Sequence, residues 1–161
     1  MMGPRRSLVH CVPGLKELVV SESTVEASGM RALAAALRHT PGLEQLHVNC
    51  NKIGTSGAAA LAGALRHVPV LKVLDVSMCG IRSRGAAMIA RALRHVRGLA
   101  ELHMDDNIIS EAGAQELANA LRHLPSLAYF SVDMNSVGDG GRAALREAIA
   151  ASCPSFKGLV P

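Results

Sequence analysis

Apolar residues recur along the chain in two alternating rhythms. The first is Leu-x-x-Leu-x-Val, as in Leu43, Leu46 and Val48; apolar side chains two residues apart predict a short strand with one buried face. The second occupies runs such as Ala58 to His67, where Leu61 and Leu65 stand at i and i+4 beside Ala62 and Ala64, which predicts a helix with a low apolar face. Between the two come a small polar residue (Ser23, Asn51, Cys79, Asn107, Asn135), an apolar residue (Val25, Ile53, Ile81, Ile109, Val137) and a glycine (29, 57, 85, 113, 141). The polar residue is placed to satisfy backbone groups at a buried turn, so stacked copies form a ladder.

The segment Ala-Leu-Arg-His sets the period. It begins at Ala36, Ala64, Ala92 and Ala120, each copy 28 residues after the last. A constant interval of that length predicts a solenoid. Aligned on it, residues 1–161 form one repeat domain: a partial leading helix at 1–13, repeats at 14–41, 42–69, 70–97, 98–125 and 126–154, and a partial sixth strand at 155–161. The array begins and ends in mid-repeat, with Arg146 and Glu147 as its one sign of a polar cap, whereas solenoids ordinarily carry capping repeats. The expectation is therefore a fragment, a truncated product, or a subunit whose open ends self-associate or are covered in an assembly.

Spacing, ladder residue, glycine and helix recur together five times, and the pattern resembles the leucine-rich repeats of the ribonuclease-inhibitor-like class. The Asn-x-Ile-x-x-x-Gly and Leu-Ala-x-Ala-Leu phrasing is most similar to the C-terminal repeats of NOD-like receptors and to the Ran GTPase-activating protein. The resemblance implies an α/β horseshoe with a concave parallel sheet and convex helices. Ser23 and Cys79 depart from the ladder asparagine, and the third repeat ends on Arg97 where its neighbours have proline.

Composition narrows the function. With 49% hydrophobic and 19% charged residues the chain is not disordered, and with only Tyr129, Phe130 and Phe156 as aromatics its core is aliphatic. No run approaches the ~20 apolar residues of a membrane span, and Cys11, Cys50, Cys79 and Cys153 are too scattered for a secreted disulfide framework. A cytoplasmic location without membrane contact is expected.

Side chains between the buried strand positions face the concave side and can be written in columns. The central column runs Val19, His47, Asp75, His103, Ser131; beside it lie Glu17, Gln45, Val73, Glu101, Tyr129. Acidic residues concentrate in the C-terminal half, where Glu101, Asp105, Asp106 and Asp133 surround Tyr129, pointing to a protein partner with a basic surface. His47, Asp75 and His103 occupy adjacent strands about 4.8 Å apart. Two readings stand for them: a polar ladder, or a row able to hold zinc or tune a histidine.

The helices carry the opposite sign. Arg38, Arg66, Arg94 and Arg122, each followed by a histidine, fall at helix C-termini, where a cation complements the helix dipole by ~0.3–1 kcal/mol. An anion or nucleic-acid groove is the competing reading, opposed by the lack of stacking aromatics. No phosphate loop, zinc-protease motif, nucleophile elbow or dinucleotide fingerprint is present, and Gly138-Asp139-Gly140-Gly141 reads as the turn before the fifth helix. The expectation is a noncatalytic, cofactor-free interaction module of NOD-like-receptor sensor type. Regulation of a small GTPase and a structural role in a large assembly are its alternatives.

Overall fold

The structure, a computed structural model, describes residues 14–158. Strand and helix alternate: β1 (Glu17–Val19), α1 (Ala27–Leu37), β2 (Gln45–His47), α2 (Gly54–Ala64), β3 (Val73–Asp75), α3 (Arg82–Ala92), β4 (Glu101–His103), α4 (Glu111–Leu121), β5 (Tyr129–Ser131) and α5 (Gly138–Ser152). Short 3₁₀ turns, Leu65–His67 and Leu93–His95, follow α2 and α3. The strands make one parallel sheet in chain order, and the register sets Glu17 against Gln45, Val73, Glu101 and Tyr129 in turn. The sheet columns are therefore those that the repeat alignment predicts.

One side of the sheet is covered by helices. Leu46, Leu74 and Leu102, at the middle of their strands, are fully buried against them, as are Leu61, Ile89 and Leu117 from the helices. The core is aliphatic apart from Phe130, and burial of this kind stabilises by roughly 25 cal/mol per Å² of apolar surface. Glycine sets how closely successive helices approach. A Cβ on Gly85 would lie 2.9 Å from Ala58 Cβ, and one on Gly141 would lie 2.8 Å from Ala114 Cβ, both closer than real carbon contacts allow.

The helices begin in two ways. Gly54, Arg82 and Gly138 take left-handed φ values of 59, 56 and 64° and turn the chain directly into α2, α3 and α5. At the equivalent places Glu26 and Ser110 are extended and bridge in parallel to Lys52 and Ser136. This corrects the reading of Gly138-Asp139-Gly140-Gly141: these residues form the first turn of α5, because the left-handed residue sits at the very start of the helix.

At the C-terminal end the Lys157 amide donates to the Ala128 carbonyl (2.9 Å), as Ala128 does to Ala100 (2.8 Å). The backbone thus enters a sixth unit in register, yet residues 154–158 form turns and a bend with no strand. The expected leading helix at 1–13 and the rest of the sixth strand, 159–161, lie outside the described residues, as does Cys11.

Candidate functional site

The ladder is built from amides that bridge repeats. Asn107 Nδ2 donates to the Val76 and Met104 carbonyls (2.9 and 3.1 Å), while its Oδ1 accepts from the Cys79 and Ile81 amides (3.0 and 3.3 Å). Asn51, two units before it, and Asn135, one unit after it, repeat the arrangement. Cys79 fills its ladder position with a thiol that donates to the Val48 carbonyl (3.1 Å), and burial pushes that thiol up to about 11. Ser23 departs from the expected ladder: it is exposed, and its hydroxyl bonds the Ser21 carbonyl within its own repeat.

The uncovered side of the sheet divides into three clusters. At its N-terminal half Glu44 lies between Lys16, at 2.8 Å, and Lys72; bonding to these two ammonium groups lowers its carboxyl from 4.5 to about 2. The second cluster joins β4 to β5. The His103 and Tyr129 rings stand 4.9 Å apart at a tilt of 32°, and Glu101 Oε2 lies 3.5 Å from His103 Nε2. Tyr129 is 42% exposed, so a partner can reach it.

Asp105 heads the third cluster. It accepts from the Ser131 hydroxyl at Oδ2 and from the Asp133 amide at Oδ1, both at 2.7 Å, so both of its oxygens hold the framework. Ser131 is buried, and this bond satisfies its hydroxyl. The Asp106 and Asp133 carboxylates, by contrast, make no hydrogen bond or ion pair among the described residues and stand exposed.

His47 and Asp75 sit in register with His103, but the three side chains do not join. Asp75 Oδ1 accepts from the Ser77 amide two residues on (2.9 Å), and His103 turns towards Tyr129, Glu101 and the Ser131 hydroxyl, 3.4 Å away. Among the described residues no three His, Cys, Asp or Glu side chains converge to hold a metal ion.

On the helix side, Arg38 and Arg66 Nε donate to the Ala35 and Gly63 carbonyls (2.7 and 3.0 Å), the geometry of cations closing helix C-termini. An open groove of about 380 Å³ lies between α3 and α4, lined in part by Arg91, Arg94, Arg122 and His123. Glu116 also lines it and pairs with Arg91 at 3.7 Å, which offsets part of its positive charge. Among the described residues no helix is long and apolar enough to cross a membrane.

Two features escaped the sequence reading. Glu44 between Lys16 and Lys72 is a connected row of ion pairs, which the strand pattern alone does not show. Ile108, which directly follows the ladder Asn107, is 60% exposed with a left-handed φ of 59°; its signal is an apolar residue where other repeats place Thr24, Lys52, Gly80 and Ser136.

Residues 42–62 and 69–90 match the family described as Leucine Rich repeat. No protein of curated function matches the chain in sequence. Among solved structures, leiomodin-1 actin-binding site 2 superposes with a TM-score of 0.73 at 18% identity, covering 90% of this chain and 84% of that one. The tropomodulin C-terminal domain of Caenorhabditis elegans gives 0.75 at 19% identity over 90% and 88% of the two chains. In the yeast Rad7 and Elc1 complex the match is 0.54 at 21% identity, over 80% of this chain and 34% of that one. Parallel sheet, asparagine ladder, repeat match and superposition agree, and the described residues fold as a leucine-rich-repeat α/β solenoid.

Proposed function

We propose that this chain is a noncatalytic protein-interaction module whose uncovered sheet face receives a basic surface of a partner protein at its C-terminal half. The observation that carries this reading is the open Tyr129 ring, packed on His103 beside Glu101, with the exposed Asp106 and Asp133 carboxylates beyond the ends of the same two strands. A sheet braced by ladder bonds needs little ordering on binding, and an aromatic anchor with a charged surround favours affinity at the ring and encounter through the field. His47 and Asp75 extend the same face towards the N-terminus.

The superposed leiomodin-1 domain is an actin-binding site, so actin is the first partner to titrate. The sensor regions of NOD-like receptors and the Ran GTPase-activating protein supply finer versions of the reading, and a GTPase-stimulation assay separates the second of these from a passive binder. For any partner found, Glu101→Lys with Asp133→Lys is expected to weaken binding at least tenfold and to remove its salt dependence, whereas Arg66→Glu with Arg94→Glu leaves it unchanged. Asp105 is left out of this pair because its carboxylate braces Ser131 and Asp133. If the helix pair abolishes binding and the sheet pair does nothing, the groove between α3 and α4 is the binding surface instead.

A further inference from the structure

Five residues just beyond the strands occupy one row along the rim: Glu22, Cys50, Met78, Asp106 and Met134, each with a left-handed φ between 49 and 58°. The register continues through them, since the Met78 amide donates to the Asp105 carbonyl (2.8 Å) and the Asp106 amide to that of Asp133 (2.9 Å). The left-handed turn directs these side chains outward. Met78 is 53% and Met134 81% exposed, and Cys50 Sγ lies 3.6 Å from Met78 Sδ. Ile108, two residues past Asp106, adds a third exposed apolar side chain. A β-branched residue held left-handed and exposed is unfavourable on both counts, and such positions concentrate at functional sites.

We infer that this rim binds one amphipathic basic helix of the partner, with apolar side chains on Met78 and Met134 and a cation over Asp106 between them. The inference rests on the interaction-module reading and specifies the chemistry of the partner. Spacing selects the helix. Met78 and Met134 are two strand intervals apart, about 9.6 Å, and helix residues i and i+7 are separated by about 10.5 Å, with i+3 and i+4 falling between them. An extended segment presents same-face side chains about 6.7 Å apart and fits neither interval. Charge selects the sign: Asp106 and the adjacent Asp133 have carboxylates without a partner among the described residues. An open depression of about 410 Å³ with Met78 and Asp106 in its wall and Gly54 and Gly80 beside them gives one apolar side chain a seat. Lys52 lines the same depression and turns the cationic face of the helix towards Met134. Methionine suits the role because its flexible thioether adapts to varied apolar surfaces.

The test uses the full chain and three synthetic peptides titrated by fluorescence anisotropy. One is a helix-forming peptide with leucines seven residues apart and lysines three and four residues after the first; a second has the same composition with the leucines two residues apart; a third replaces the leucines by glutamine. The first is expected to bind at least tenfold more tightly than either other. Met78→Ser with Met134→Ser, or Met134→Lys alone, is expected to remove that advantage while circular dichroism and Tm stay unchanged. Equal binding of all three peptides, or no effect of the methionine variants, overturns the inference. If Glu101→Lys with Asp133→Lys weakens a natural partner while the methionine variants do not, the sheet-face reading stands and the rim helix falls. If neither set of variants matters, both readings fall.

Discussion

Asn107 shows how much one side chain can carry in a repeat array. Its amide bonds five backbone groups in two repeats at full burial, so Asn107→Ala leaves buried donors and acceptors unpaired at about 1–3 kcal/mol for the group. Arg94→Ala, on an exposed helix end, is expected to cost under about 0.5 kcal/mol. Urea titrations that give the two variants equal stability would contradict the ladder. Glu44 supplies a pH test of different sign from a histidine. Its carboxyl falls from 4.5 to about 2 on folding, so its contribution is fully present above pH 4.5 and is lost as pH drops through 4.5 towards 2. Glu44→Gln should flatten the stability profile in that window, most clearly at low salt, and leave it unchanged at pH 7 and above apart from a constant offset. The asparagines were legible in the sequence because they recur at one place in each unit. The bracing role of Asp105 was not, since an acid in a solvent-facing column reads as surface until its two acceptor bonds are seen.

Helix starts show where repetition hides variation. Arg82 takes the left-handed conformation that Gly54 and Gly138 take at equivalent places, and for a residue with a side chain that costs about 1–2 kcal/mol. Arg82→Gly removes the cost but loosens the unfolded chain, and the expected outcome is a gain of up to roughly 1 kcal/mol, read as a higher urea midpoint. Gly85→Ala should act in the opposite direction. Its new methyl would meet Ala58 Cβ at 2.9 Å and push α2 and α3 apart, destabilising by about 1–3 kcal/mol. The glycine period was evident in the sequence as spacing, but its reason, contact between neighbouring helices, belongs to tertiary packing. Gly138, which spacing alone placed in a turn, is the first residue of α5, set there by its left-handed backbone.

Across the whole array each repeat packs on its neighbours, so stability is a sum of local and nearest-neighbour terms and the ends open first. The two ends differ. Leu18 in β1 is only partly buried and Val19 is exposed, whereas the equivalent Leu46, Leu74 and Leu102 are fully buried and Phe130 at the other end nearly so. Phe156 packs against the last repeat and α5 runs for 15 residues where the other helices run for 11. Amide exchange is therefore expected to be fastest in β1 and α1, slowest in β3, α3 and β4, and intermediate in α5. Uniform protection from β1 to β5 would contradict this gradient. Strand, helix, period and register were all readable from the chain, because apolar spacing of two against three and four is local and recurs five times. Tertiary structure decided which acids are free and which are braced. It also turned His103 to Tyr129 and away from Asp75, and brought Met78, Asp106 and Met134 into one exposed row. Those outcomes depend on side-chain direction and on bonds between residues 26 to 31 apart, and hydrophobic periodicity carries no record of either.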